Sequence, residues 1–222
     1  MPGSIKIDDG SGNYTILTNA GSLGSDKTLT VPNETATLAT TTATNLGHMV
    51  KLATVTASNT AEIDFNSGVT GFNSTTYRSF CVRGKWITPA TNTARLYVNL
   101  ADGTTKRTGT YETGVYQTRI DGSQSGYNQQ DLSGALDMGI IQLGNDTRET
   151  YSFEVCVFPS GDSGSNHAGA TVGYYHTVGK VHNATSWYFP GGFQYDSTSY
   201  MDGIYLSMST GNIATGIFDF YG

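Results

Sequence analysis

From residue 50 to the C-terminus, apolar and polar residues alternate with a period of two, segment after segment. Such a period places alternate side chains on opposite faces of an extended chain, so each segment predicts a strand with one buried face. The segments are 50–57, 61–65, 77–88, 94–100, 110–120, 136–143, 150–158, 170–181, 186–195, 200–209 and 214–221. In 77–88 the alternation groups Phe80, Val82 and Trp86 on one face and Arg83 and Lys85 on the other. Leu96, Val98 and Leu100 separate in the same way from Arg95, Tyr97 and Asn99, and Tyr151, Phe153, Val155 and Val157 fall together. After a turn at 209–212, Ile217, Asp219 and Tyr221 alternate with Phe218 and Phe220, which predicts a last strand held within a sheet. Gly, Asn, Asp and Ser clusters punctuate the series. No long stretch carries a 3.6-residue period, and only 128–132 reads as a single helical turn. The pattern predicts an all-β chain built as a two-layer β-sandwich.

Residues 1–46 differ. Tyr14 is their only aromatic residue, and short strands are predicted at 4–7, 14–18, 28–31 and 36–40. The segment 28–43, TLTVPNETATLATTTA, has no Lys, Arg or His, and Glu34 is its only charge. It alternates Thr with apolar residues and turns at Pro32-Asn33, a β-forming sequence with too little bulk to make a core alone. Such a segment gains a core from copies of itself. The expected organisation is an N-terminal extended attachment or stalk region, 1–46, joined by this Thr-rich connector to a β-sandwich, 47–222.

Charged residues make up 14% of the 222-residue chain, against about 25% in ordinary globular domains. The net charge is −6, and the basic residues are scattered. No phosphate-binding cluster forms, so nucleic acid is not an expected partner. No stretch approaches the roughly 18 apolar residues of a spanning helix, and the N-terminus lacks the apolar run of a signal peptide. Neither membrane insertion nor export is expected. Cys81 and Cys156 are the only cysteines, each inside an apolar strand-like run. Buried free thiols are the first expectation and a disulfide the alternative. The Asn-x-Thr triplets at Asn13, Asn33, Asn73, Asn145 and Asn183 read as chance in an Asn- and Thr-rich chain.

Candidate chemistry is sparse. Gly161-Asp162-Ser163-Gly164 matches the nucleophile segment of trypsin-like proteases, which needs a His base oriented by a buried Asp, both upstream. The only upstream histidine is His48, and no partner Asp is recognisable, so a polar loop is the better reading. His176 and His182 fall on one strand face by spacing, with His167 nearby, but no third or fourth ligand has familiar spacing. Hydrogen-bonded or exposed histidines are expected there, with a shared metal on a threefold axis left open. Asp121, Asp131 and Asp137 flank the polar stretch 122–134 without the order of a calcium loop. No catalytic, metal or cofactor site is nominated. The aromatic runs are the better lead. Tyr174, Tyr175 and His176, then Trp187, Tyr188 and Tyr195, exceed what one strand face needs. The surplus is expected to make interchain or ligand contacts, with sugar stacking as one form of the latter. Tyr111, Tyr116 and Tyr127 read as loop contacts near Gly-rich turns.

Three segments resemble bacteriophage tail-fibre and related virion structural proteins. TLTVPNETATLAT resembles the "TLTLP…GTLAT" connector that precedes their head domain. Residues 53–65, ATVTASNTAEIDF, are similar to the start of that domain. The ending, LSMSTGNI followed by GIFDFYG, is similar to its last strand pair, with Ile217 and Phe220 departing from the usual side chains but keeping the alternation. The resemblance implies a jelly-roll head, a homotrimer, attachment to other virion proteins through residues 1–46, and location on the virion after assembly in the host cytoplasm. It implies a head that meets a host-surface glycan or protein. The alternative is an architectural head-fibre, decoration or tail-assembly protein with no receptor. A tail-associated hydrolase is a third reading, for which no residue can be named, and the chain is not expected to be an enzyme.

Overall fold

The computed structural model describes residues 4–8, 14–18, 49–66, 68, 77–119, 122–138, 142–146, 149–159, 170–180, 186–197 and 199–222. The chain divides into two units, Met1–Gly47 and His48–Gly222. In the first, β1 (Ser4–Asp8) pairs antiparallel with β2 (Tyr14–Thr18). The expected strands at 28–31 and 36–40, and with them the connector, lie outside the described residues.

The second unit contains β3 (Lys51–Thr60), β4 (Glu62–Phe65), β5 (Phe80–Pro89), β6 (Leu96–Asp102), β7 (Thr105–Lys106), β8 (Thr110–Arg119) and β9 (Gln124–Ser133). It continues with β10 (Leu136–Asp137), β11 (Tyr151–Phe158), β12 (Thr171–Lys180), β13 (Ser186–Tyr195), β14 (Gly203–Met208) and β15 (Ile213–Tyr221). Strands β3, β15, β5 and β11 are neighbours in one sheet, and β4, β14, β6 and β10 in the other. Counted along the chain as eight, these run first-eighth-third-sixth and second-seventh-fourth-fifth. That is the interleaved double Greek key of a jelly roll. Two hairpins are added to it. The pair β8–β9 is inserted between the fourth and fifth strands, and β12–β13 between the sixth and seventh. Laid side by side, they extend the first sheet to eight strands, in the order β3-β15-β5-β11-β12-β13-β8-β9.

The alternation in the sequence sets which face is buried. Phe218 and Phe220 of β15 are fully buried, and β15 lies between β3 and β5. The Phe220 ring is 5.4 Å from Phe80 in its own sheet and 5.3 Å from Phe65 in the opposite sheet, so it fastens the two layers. Phe153, Val155 and Val157 of β11, and Leu96, Val98 and Leu100 of β6, fill the same core. Asn99 is buried on the outward side of β6, where its amide donates to the carbonyls of Arg107 (2.9 Å) and Gly134.

Inside the added hairpins, glycines and aromatic residues face each other directly. Tyr175 is opposite Gly191, Gly173 opposite Phe193, and Gly179 opposite Trp187. A Cβ on Gly191 would lie 2.5 Å from the Tyr175 hydroxyl oxygen, so the ring lies flat on the bare glycine backbone.

Several expectations are corrected. Cys81 and Cys156 are directly opposed on β5 and β11, 4.1 Å apart at Cα, and form a disulfide instead of two free thiols. Both lie on the outward side of the sheet, yet each is only 3% exposed. Trp86 does not share a face with Phe80 and Val82. Gly84 opposes Phe153 and Ile87 opposes Tyr151, so Lys85 and Trp86 together face the single Ser152 in a bulge. The bulge turns Trp86 outward beside Lys85, with φ 56°, and puts Ile87 into the core. Residues 128–132 belong to strand β9, not to a helical turn, and most of the supposed loop 122–134 is the same strand. Among the described residues of 136–143, Leu136–Asp137 is a strand and Leu143 forms a lone bridge to Ala94.

Candidate functional site

Nine large hydrophobic side chains are exposed among the described residues. Seven of them, Trp86, Tyr116, Phe158, Val172, Tyr174, Val178 and Tyr188, lie on the outward face of the eight-stranded sheet. The other two, Met49 and Val50, precede β3. None is on the outward face of the smaller sheet.

The registers show how the fold gathers them. One transverse row runs Asp219–Arg83–Glu154–His176–Pro190 across β15, β5, β11, β12 and β13. On one side lies Tyr221–Cys81–Cys156–Tyr174–Gly192, and on the other Ser152–Val178–Tyr188–Thr118. Strand spacing brings the aromatic rings into contact. Phe158 is 6.1 Å from Tyr174 between ring centroids, Tyr174 meets His176 edge-on at 5.5 Å, and His176 stacks on Tyr188 at 6.0 Å. His176 Nδ1 and the Tyr188 hydroxyl share a 2.8 Å hydrogen bond, which fixes the orientation of both rings. The aromatic half of the face is therefore ordered without any ligand.

The other half, over β3, β15, β5 and β11, carries Trp86 and Phe158 together with a network of charged side chains. Thr54 Oγ1 donates to Asp219 at 2.6 Å, and Lys51 and Lys85 each lie 3.6 Å from the same carboxylate. The Thr54 hydrogen bond first, and then the two ammonium groups, hold the Asp219 carboxyl below its ordinary pKa against the opposing effect of burial. Arg83 is paired with Glu154 and sits 5.1 Å over the Tyr221 ring. The hydrogen bond to Glu154 is the main reason that its pKa is raised.

The six residues singled out in the sequence divide evenly. Tyr174, His176 and Tyr188 come together on the outward face. Tyr175 and Tyr195 are buried on the inner face, and Trp187 is half-buried there. The Tyr175 hydroxyl is 3.1 Å from Thr113 Oγ1, and burial pushes its pKa up to about 12. Tyr195 packs 4.6 Å from Tyr111, and Trp187 lies under the Arg119 guanidinium at 4.8 Å. Tyr175 and Tyr195 belong to the core, and Trp187 packs against it. Tyr111 and Tyr116 are on strand β8 and not in loops: Tyr111 is buried, and Tyr116 belongs to the outward face. Tyr127 is on β9. His48, Gly161–Gly164, His167, His182 and Asp121 lie outside the described residues. Asp137 is buried and paired with Arg95 at 3.1 Å. Among the described residues, no group of three or more His, Cys, Asp or Glu side chains could hold a metal ion.

No protein-family model, no curated protein and no solved structure matches this chain. The outward face therefore stands on its own geometry.

Sequence reasoning missed Trp86, Phe158, Val172 and Val178. Alternation alone points the valines the wrong way. In 171–178 Val172, Tyr174 and Val178 share one phase, against Thr171, Gly173, Tyr175 and Thr177 in the other, yet the more apolar phase is the one that faces out.

Proposed function

We propose that this chain is a fibre-type virion protein of a bacteriophage: a self-assembling, non-catalytic module in which residues 1–46 attach to other virion proteins and the jelly roll is presented for recognition of a host-surface glycan or protein. The observation that carries the reading is the segregation of exposed apolar side chains. They collect on one face of the jelly roll, while the outward side of the smaller sheet bears Glu62, Asp64, Tyr97 and Ser207. A protein with one apolar face is built for association. The division at residue 47 supports the reading, because such a protein needs one part for attachment and another for display. The connector and end motifs point in the same direction.

The test is location. Antibodies against the chain, imaged on purified particles, are expected to label the tail or the head surface. Particles that lack the chain altogether overturn the proposal. Binding of the labelled full-length protein to host cells then tests recognition: binding that follows the protein supports a receptor role, and its absence removes that part of the reading.

A further inference from the structure

We propose that the outward face of the eight-stranded sheet, centred on Trp86, Tyr174, His176, Val178 and Tyr188, is where copies of this chain meet. The inference rests on the fibre reading only for the number of copies; the surface itself is argued from area, charge and backbone strain.

Area comes first. With about 150–250 Å² per aromatic side chain and exposures of 38–63%, the seven side chains present on the order of 600 Å² of apolar surface. A typical monomer's largest apolar patch is about 300–600 Å², and a standard interface takes about 800 Å² from each partner. The aromatic half with its polar margin meets that size.

Charge comes second. A second copy brings the same charges, so a face with an uncompensated field would repel it. Here Arg83 is matched by Glu154, and Asp219 lies between Lys51 and Lys85, so the network leaves one net positive charge rather than a strong field. Among the exposed side chains of β8, β12 and β13, Val172 and Val178 offer a saccharide no hydrogen bonds and stand among Tyr116, Tyr174, His176 and Tyr188. That composition suits a protein surface.

Strain comes third, and it is independent of the other two. Trp86 is 63% exposed and held at φ 56°. A bulky residue in left-handed backbone costs roughly 1–3 kcal/mol, and such outliers gather where a surface is used. The bulge that places Ile87 in the core sets this backbone, but it calls for no large apolar side chain at position 86. An interface that takes up the indole does.

The experiment uses the full chain. Solution mass by light scattering is measured for the wild type, for Val178→Lys, for Tyr188→Glu, and for Thr105→Lys on the smaller sheet as a control; circular dichroism checks folding. The expected result is an oligomeric wild type and control, with the two face variants folded and monomeric. Hydroxyl-radical footprinting of the assembled wild type reads the same face without a substitution. Trp86, far more exposed in the single chain than half-buried Trp187, is expected to oxidise more slowly than Trp187.

Folded face variants that keep the wild-type mass overturn the inference and leave the fibre reading standing, since copies then meet elsewhere. If the variants do not fold, a Trp86 that oxidises faster than Trp187 in the assembled protein overturns it. A monomeric wild type removes both the inference and the self-assembling part of the fibre reading. Saccharide binding that protects Trp86 and Tyr188 in such a monomer gives the face to a glycan instead.

Discussion

Replacing Trp86 by glycine and, separately, by alanine gives two variants whose order of stability reports the backbone and not the side chain. Both lose the indole, and with it the same packing. They differ only by a Cβ. In an ordinary strand the glycine variant is the weaker, by about 0.5–1 kcal/mol, because glycine loses more freedom on folding. At position 86 the register forces Lys85 and Trp86 to share one partner, and φ is 56°. There the Cβ crowds the following carbonyl, which costs roughly 1–2 kcal/mol. This cost exceeds glycine's entropic penalty, so Trp86→Gly is expected to be more stable than Trp86→Ala by about 1 kcal/mol.

For a chain of this length, that difference moves the midpoint of thermal unfolding by about 2–4 °C. Urea unfolding followed by circular dichroism measures it, and Trp187 remains as the only fluorescent tryptophan for a second probe. Protein concentration must be matched, because any association of copies adds stability by mass action. An alanine variant as stable as the glycine variant, or more so, refutes the bulge and the strain argument built on it.

Three further outcomes follow from the core and the ion pairs. Replacing Cys81 and Cys156 by serine opens a cross-link between positions 75 residues apart, a loop whose closure entropy is worth about 4 kcal/mol, with about 2–4 kcal/mol expected on urea unfolding; two thiols titrating in the unfolded, unreduced wild type would count against the bond. Because the Asp219 carboxyl is held below its ordinary value near 3.8, its stabilisation is present above that pH and is lost as pH falls through the lower, folded-state value. Asp219→Asn is therefore expected to flatten the acid limb of a melting-temperature profile, and parallel acid limbs would contradict the network with Thr54, Lys51 and Lys85. Gly191→Ala puts a methyl group against the Tyr175 ring and dislodges its hydrogen bond to Thr113, at a cost of about 1–3 kcal/mol by overpacking; an unchanged unfolding midpoint would show that the ring does not lie on that glycine.

Strands with one apolar phase were the most legible part of the sequence. β6, β11 and β15 alternate cleanly, and their buried residues are the expected ones: Leu96, Val98 and Leu100, then Phe153, Val155 and Val157, then Phe218 and Phe220. β9 was not legible, because QSGYNQQDLS is polar in both phases, as an edge strand paired only to β8 permits. The bulge at Trp86 was hidden for a different reason. One extra residue shifts the phase of everything after it, so Trp86 and Ile87 exchange faces with no change in composition. The disulfide was hidden because pairing of β5 with β11 joins segments far apart in the chain, and alternation within a strand says nothing of its neighbour. For the candidate site, the sequence showed that the aromatic residues were in surplus but not which of them were. In Tyr174-Tyr175 the two phases carry the same residue type, and only the sheet decides that Tyr174 faces out and Tyr175 in.

The surplus itself has a cause in the topology. At about 4.8 Å per strand, eight strands span roughly 34 Å across, while the four of the opposing layer span roughly 14 Å. The jelly-roll half, β3-β15-β5-β11, is matched by that layer; the added half is not. Its inner face is closed by its own rings instead. Tyr175 and Phe193 lie over the facing Gly191 and Gly173, Phe189 and Tyr195 are buried on the same side, and the Tyr111 hydroxyl accepts the Leu100 N–H and donates to the Arg107 carbonyl. Aromatic residues on the inner face are thus explained by the fold, and removing the hairpins would remove the need for them. Those on the outward face are not. Tyr174, His176, Val178 and Tyr188 face away from the core, in transverse rows that Tyr221, Asp219 and Ile217 of β15 enter on the other half of the sheet. The halves differ in exposure: those three side chains of β15 are buried or half-buried, while Tyr174, His176, Val178 and Tyr188 are exposed. Five of the seven exposed side chains come from β8, β12 and β13 of the inserted hairpins, while Trp86 on β5 and Phe158 on β11 come from the jelly-roll strands. The proposed association surface is therefore carried mainly by the inserted hairpins and completed by the jelly roll that frames them.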